Sequence, residues 1–213
     1  RGKIDRLDVA DGGAAVVFDY KRKARSFNWE RFYHGLDIQL GIYMNAVRQS
    51  RGGSVAEIGD LAGAFYFPVE ADVQAGDIRD LEKHVRKTDR KARGVFNGRY
   101  AEYLDSTGSG SEYYNFRIKK DGDPYGDYNR QGIVRPENFK DMLSYAGSKA
   151  VELAGGIVSG RIDARPYRLG TESACRRCEY GGVCRFDWNI NDYNSLSKKN
   201  KQQVLTETGN EDG

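Results

Sequence analysis

The chain has 213 residues, 34 Lys/Arg against 31 Asp/Glu for a formal net charge of +3, 38% hydrophobic residues and only three cysteines. That length supports one core-bearing domain with at most a small appendage, and a mean hydropathy of −0.74, with no apolar run near the roughly 18 residues a bilayer span needs, excludes a transmembrane helix. The charge is too small to establish a nucleic-acid partner, and three cysteines crowded between Cys175 and Cys184 point to a metal or cluster site in a reducing, cytoplasmic compartment rather than to a disulfide framework.

The chain opens on Arg1-Gly2-Lys3-Ile4-Asp5, with neither an initiator Met nor a signal peptide, and reads as a fragment already inside a strand. Lys3 to Val9, a turn at Asp11-Gly12-Gly13 and Ala14 to Lys21 predict a β-hairpin. A long amphipathic helix is expected from about Asn28 to Gln49, with Leu36, Leu40, Tyr43 and Val47 on one stripe. Leu61 to Val69 reads as a strand ending near Pro68. A basic helix follows from about Asp77 to Arg93, then a flexible Gly/Ser-rich loop over 105–112. Tyr114 to Lys119 reads as a strand turning at Asp121-Gly122, and Pro136 to Ser159 as a helix leading into the Cys-rich tail. From Lys198 onward the chain is polar and is expected to fray. Strands alternating with helices predict an α/β domain. Its expected divisions are a core over 1–160, a Cys-rich segment over 161–190 and a polar tail over 191–213.

Two basic runs stand out. Residues 21–31 carry Lys21, Arg22, Lys23, Arg25 and Arg31 against Glu30 alone, and residues 79–100 carry eight Lys/Arg against Asp80, Glu82 and Asp89. An isolated run of this kind reads first as a solvated face. The first one, however, continues directly from the strand with the most informative chemistry.

A turn centred on Gly12 pairs residues whose numbers sum to about 24, which sets Asp5 opposite Asp19. Alternation then places Asp5, Leu7, Val17, Asp19 and Lys21 on one face. Carboxylates about 5 Å apart repel by roughly 1 kcal/mol in water and roughly 3 kcal/mol at an effective dielectric of 20. Lys21 offsets part of that repulsion, and a hard divalent ion such as Mg²⁺ or Mn²⁺ would offset more. Two acidic ligands beside a lysine suit phosphodiester hydrolysis, in which a metal activates water and an ammonium supports charge on the phosphate. The same residues also fit a solvent-facing hairpin with an ordinary Asp/Lys pair.

Gly2-Lys3-Ile4-Asp5-Arg6, then Phe18-Asp19-Tyr20-Lys21, then Gln39-Leu40-Gly41-Ile42-Tyr43 resemble, in order and spacing, the motifs of the RecB-type PD-(D/E)xK nucleases. Tyr33-His34-Gly35-Leu36, Ala62-Gly63-Ala64-Phe65-Tyr66-Phe67 and the C-terminal Cys175, Cys178 and Cys184-Arg185-Phe186 extend the resemblance to AddB-type nuclease domains, over about residues 1–190. The resemblance implies a restriction-endonuclease-like core, a mixed sheet flanked by helices. It implies Asp5, Asp19 and the backbone carbonyl of Tyr20 as Mg²⁺ (or Mn²⁺) ligands, Lys21 as the catalytic lysine, and Gln39 and Tyr43 beside the site. His34 is expected to pack or face solvent, and the helix that precedes these motifs in the family is expected to lie upstream of this chain.

Cys-x2-Cys-x5-Cys by itself suits zinc or an iron-sulfur cluster, either of which wants a fourth ligand. The resemblance implies a structural four-iron, four-sulfur cluster on Cys175, Cys178 and Cys184 in a longer protein, with the fourth Cys far upstream. It further implies cleavage of unwound single strands, the 5′-ended strand included, during double-strand break repair, with an AddA-type helicase-nuclease subunit as partner. A free-standing CRISPR-associated iron-sulfur nuclease shares both motif sets, and an inactive DNA-binding scaffold is the alternative from another class. The span from Asn45 to Pro136 fits the AddB type better than the first. Facing carboxylates, which repel phosphate, argue against the second.

Overall fold

The computed structural model describes residues 2–50, 58–70, 90–104, 111 and 113–210. Most of the basic helix expected over 77–93, and most of the loop expected over 105–112, lie outside the described residues.

The chain begins with the expected hairpin, β1 (Arg6–Val9) and β2 (Ala14–Lys21). Its pairs run Arg6 with Phe18, Leu7 with Val17, Asp8 with Val16 and Val9 with Ala15, the register that the glycine-rich turn predicts. Next come α1 (Trp29–Tyr33), α2 (Gln39–Gln49), β3 (Asp60–Pro68), β4 (Arg93–Asn97), the short α3 (Ala101–Leu104) and β5 (Ile133–Val134). The first five strands form one mixed sheet in sequence order: β1/β2 antiparallel, β2/β3 parallel, β3/β4 antiparallel and β4/β5 parallel.

Alternation along the strands sends side chains into two apolar layers. On one face Val17, Ala64, Tyr66, Val95 and Val134 pack with Leu40, Met44 and Val47 of α2 and with Phe139, Met142 and Leu143 of the long helix α4 (Pro136–Val158). On the other, Val16, Phe18, Phe65, Phe96 and Ile133 pack with Tyr100, Tyr114 and Phe116. A sheet buried on both sides explains why Ala14–Phe18 reads as a continuous apolar run.

Three expectations are corrected. The single helix over 28–49 is two helices, because Gly35 sits at φ +73, which ends α1, and the chain re-enters a helix only at Gln39. Tyr114–Lys119 is not a strand: Tyr114 makes one bridge to Ala92, and Phe116 plugs the aromatic layer. Sheet positions belong instead to β4, whose alternating Val95 and Phe96 fill opposite layers, and to β5. The C-terminal stretch does not fray. Tyr167–Leu169 (β6), Glu172–Ser173 (β7) and Asn194–Leu196 (β8) form a second sheet, with the single-turn α5 (Gly181–Cys184) between β7 and β8. Lys201–Gly209 then forms α6.

Asn200 caps α6 by accepting from Gln203 N–H at 3.0 Å, while the Gln203 side chain accepts from Asn200 N–H at 2.9 Å. Val204 and Leu205 enter the core, and Lys201 Nζ donates to the carbonyls of Tyr128, Gln131 and Ile133.

The crossing of α2 over α4 depends on Gly41. A Cβ there would lie 2.7 Å from Ala146 Cβ and 3.2 Å from a Phe32 ring carbon. Gly41→Val is therefore expected to force the helices apart and cost about 1–3 kcal/mol. Chemical denaturation checks this; an unchanged midpoint would show that the crossing is loosely packed.

Candidate active site

The site lies at the C-terminal end of β2, where the strand passes beneath the start of α2. Asp19 is buried at 3% exposure, and its carboxylate pairs with the Lys21 ammonium two residues along the same face. The first residue of α2, Gln39, ties the two together. Its Oε1 accepts from Lys21 Nζ at 3.0 Å, and its Nε2 donates to Asp19 Oδ1 at 3.2 Å and to the Tyr43 hydroxyl at 2.9 Å. Gln39 and Tyr43 are one turn apart, so both face the strand. Asp19, Lys21, Gln39 and Tyr43 form one connected polar cluster.

Asp5 is placed differently. The hairpin register would pair it with Asp19 next, but the ladder ends at Arg6, and Asp5 Oδ2 accepts from Tyr20 N–H at 3.0 Å. In β2, alternate residues turn their backbone groups to opposite neighbours. The Lys21 carbonyl accepts from Val69 N–H of the β3 side at 2.9 Å, so the Tyr20 carbonyl belongs to the β1 edge, where Asp5 sits. Asp5 is exposed and has no ion-pair partner among the described residues. His34, as expected, takes no part: its Nε2 meets the Ser197 carbonyl at 2.8 Å.

Three further residues complete the arrangement. Asp37, buried just before α2, accepts from the Tyr66 hydroxyl at 2.9 Å and from Arg25 Nη2 at 2.6 Å. Tyr66 is paired with Asp19 across β2/β3, and burial, reinforced by Asp37, raises its phenol well above the ordinary tyrosine range. Its ring lies under both cations, 5.4 Å from Lys21 Nζ and 5.0 Å from Arg25 Cζ. The sequence offered one signal for this group, the basic run 21–31, but nothing in spacing joins residues 25, 37 and 66.

The donor set suits a hard divalent cation. Among the described residues Asp19 Oδ2 is buried with no partner but the Lys21 ammonium, and Asp5, Asp19 and Asp37 carry one more charge than Lys21 and Arg25. Asp5, Asp19 and the Tyr20 carbonyl are the groups that would hold such an ion. The three cysteines are free and exposed, and among the described residues no three His, Cys, Asp or Glu side chains, the aspartates of this site included, are gathered closely enough to hold a metal by themselves.

Over residues 1–185 the chain that carries this site matches the family model described as the PD-(D/E)XK nuclease superfamily. The chain belongs to that superfamily. This PD-(D/E)XK domain is also similar to AddB, the B subunit of the ATP-dependent helicase/deoxyribonuclease, of several bacteria. It is 32% identical to that of Moorella thermoacetica over 200 residues, 89% of this chain and 17% of the relative. Against Clostridium tetani the identity is 28% over 216 residues, 95% of this chain and 18% of the relative. Against Thermoanaerobacter sp. it is 29% over 226 residues, 100% of this chain and 19% of the relative. The PD-(D/E)XK domain thus spans under a fifth of the length of the curated relatives it matches. Among the described residues no helix is long and apolar enough to cross a membrane.

Proposed function

We propose that the chain is the Mg²⁺- or Mn²⁺-dependent deoxyribonuclease domain of a bacterial, cytoplasmic AddB-type protein. It hydrolyses phosphodiester bonds of single strands that a helicase has unwound at double-strand breaks, in recombinational repair with an AddA-type partner. The observation that carries this reading is the closed Asp19–Lys21–Gln39 cluster, in which a buried carboxylate and an ammonium are held in one geometry by a third side chain.

The metal, held by Asp5, Asp19 and the Tyr20 carbonyl, would supply water activation and neutralise charge on the phosphate. Lys21 supports the negative charge that develops on the phosphoryl oxygens and orients the attacking water. Gln39 holds the Lys21 ammonium from a second side while it rests on Asp19, and Tyr43 fixes the amide orientation of Gln39. Neither a scaffold nor a simple DNA-binding module gains from acidic groups at this position.

Cys175, Cys178 and Cys184 do not by themselves make a cluster site, since three exposed thiols fall one short of the four a cluster wants. We assign them to a four-iron, four-sulfur cluster completed by a cysteine elsewhere in the longer protein.

Two measurements test the metal site. Cleavage of a single-stranded oligonucleotide should require Mg²⁺ or Mn²⁺. At a concentration about 100-fold above its Kd, Mn²⁺ should stabilise the fold by about 2.7 kcal/mol, raising Tm by about 5 °C or more. Asp5→Asn and Asp19→Asn should lose that rise; a wild-type Tm indifferent to metal would overturn the ligand assignment.

A further inference from the structure

We propose that Arg25 grips a backbone phosphate of the strand being cut, with Asp37 and Tyr66 as its positioning residues; this deepens the nuclease reading above and rests on it. The basic run 21–31 is not a uniform surface. Arg22 pairs with Glu70 at 3.2 Å, both largely exposed, and Arg31 is tied to Glu172 of β7. Lys21 belongs to the catalytic cluster. Arg25 differs from Arg22 and Arg31 in its partner. The Asp37 side chain is only 5% exposed, while Arg25 itself remains 42% exposed.

Burying a carboxylate to hold one surface arginine is a poor source of stability, because the cost of desolvating the carboxylate offsets most of its attraction to a cation that stays in water. Here two buried polar groups, the Asp37 carboxylate and the Tyr66 hydroxyl, are joined by a 2.9 Å hydrogen bond, and the carboxylate then orients the guanidinium at 2.6 Å. The Tyr66 ring holds one face of that guanidinium at 5.0 Å. The result is an arginine whose rotamer is set before any ligand arrives. A guanidinium has five N–H donors, and the hydrogen bond to Asp37 comes from Nη2, so among the described residues Nε and Nη1 remain for a second acceptor.

The position identifies that acceptor. Tyr66 carries Lys21 on the same ring, so two cations, each backed by its own buried carboxylate, flank one tyrosine: Lys21 with Asp19 and Arg25 with Asp37. They lie no farther apart than about one Debye length, roughly 10 Å at 0.1 M salt, and so act on the same stretch of a polyanion. The planar fork of a guanidinium matches two oxygens of a phosphate, which a lysine cannot reproduce.

The test is binding of a single-stranded oligonucleotide in EDTA, where no cleavage intervenes, measured as a function of salt for wild type, Arg25→Ala, Arg25→Lys and Asp37→Asn. Cleavage with Mg²⁺ and thermal melts are run on the same proteins. Arg25→Ala should weaken binding about ten-fold and lower the slope of log K against log salt by about 0.7, one single-strand phosphate. Arg25→Lys should recover the slope but not the affinity. Asp37→Asn should raise KM more than it lowers kcat, because it frees the arginine without removing it. A role confined to stability would shift Tm and leave the salt slope untouched. Wild type that binds and cleaves while Arg25→Ala keeps the full slope would overturn the phosphate grip alone. Wild type that neither binds nor cleaves would overturn the nuclease reading with it.

Discussion

Lys21→Ala is expected to lower metal-dependent cleavage by about 10²–10³-fold, the usual cost of removing one preorganised group that meets charge only as it develops. The ammonium is fixed by the Asp19 carboxylate and by Gln39 Oε1 at 3.0 Å, so it costs little to organise when the phosphate arrives. Asp19→Ala should lose at least as much, and through a separable route. It removes a proposed metal ligand as well as the partner of Lys21, so the Mn²⁺-dependent rise in Tm should disappear along with activity. Lys21→Ala should keep that rise. Gln39→Leu should fall between them, since it leaves both charges in place but releases their geometry and the Tyr43 contact. Cleavage rates and metal-dependent melts on the three variants separate the roles. Unchanged activity in Lys21→Ala or Asp19→Ala would sink the site assignment.

Lys201→Met should be the most destabilising single change at the C-terminal end, by about 3–5 kcal/mol, because it removes the donor from a buried polar network rather than the whole network. Lys201 is 4% exposed, and its Nζ donates to three carbonyls, of Tyr128, Gln131 and Ile133, with the Tyr128 ring 3.6 Å away. Burial pushes the ammonium down to about 7. The carbonyls oppose that shift, since the charged form has three N–H groups to give them and the neutral amine only two. Methionine matches the length of the chain and the apolar contacts but leaves three acceptors without a donor. For a chain of this size the loss corresponds to a Tm lower by about 10 °C. Thermal and chemical denaturation of Lys201→Met against wild type measure it. A loss under 1 kcal/mol would mean that the three hydrogen bonds of Lys201 contribute little to holding α6 in place.

The parts of the site that are legible in advance are those governed by local rules. The Asp-Gly-Gly turn sets the hairpin register, the register carries Asp5 toward Asp19, and period two puts Lys21 beside Asp19. Gln39 and Tyr43 share a helical face whatever precedes that helix, so one long helix through residues 28–49 would pair them just as α2 does. The break at Gly35 is hidden because amphipathic spacing continues across a left-handed glycine without a change of phase. β4 goes unassigned in the sequence beyond Arg93, the end of the expected basic helix, because Arg93-Gly94-Val95-Phe96-Asn97 is short and abuts a charged run, and its neighbours β3 and β5 make it a strand. The polarity of 198–210 hides α6, although Asn200 and Gln203 carry the spacing of a capping box.

The sequence by itself determined the family of this protein and its candidate site residues: an acid, an acid-x-lysine pair and a glutamine in fixed order, on a strand and a helix whose periods align them. Such features depend on residues within a turn of hairpin or helix, where covalent geometry limits the alternatives. Only the tertiary structure decided that Arg25, Asp37 and Tyr66 meet, and that Lys201 donates to carbonyls some 70 residues away. Those contacts join segments brought together by the stacking of β3 beside β2 and by the docking of α6 on α4, and no local periodicity encodes which distant residues a buried charge will find.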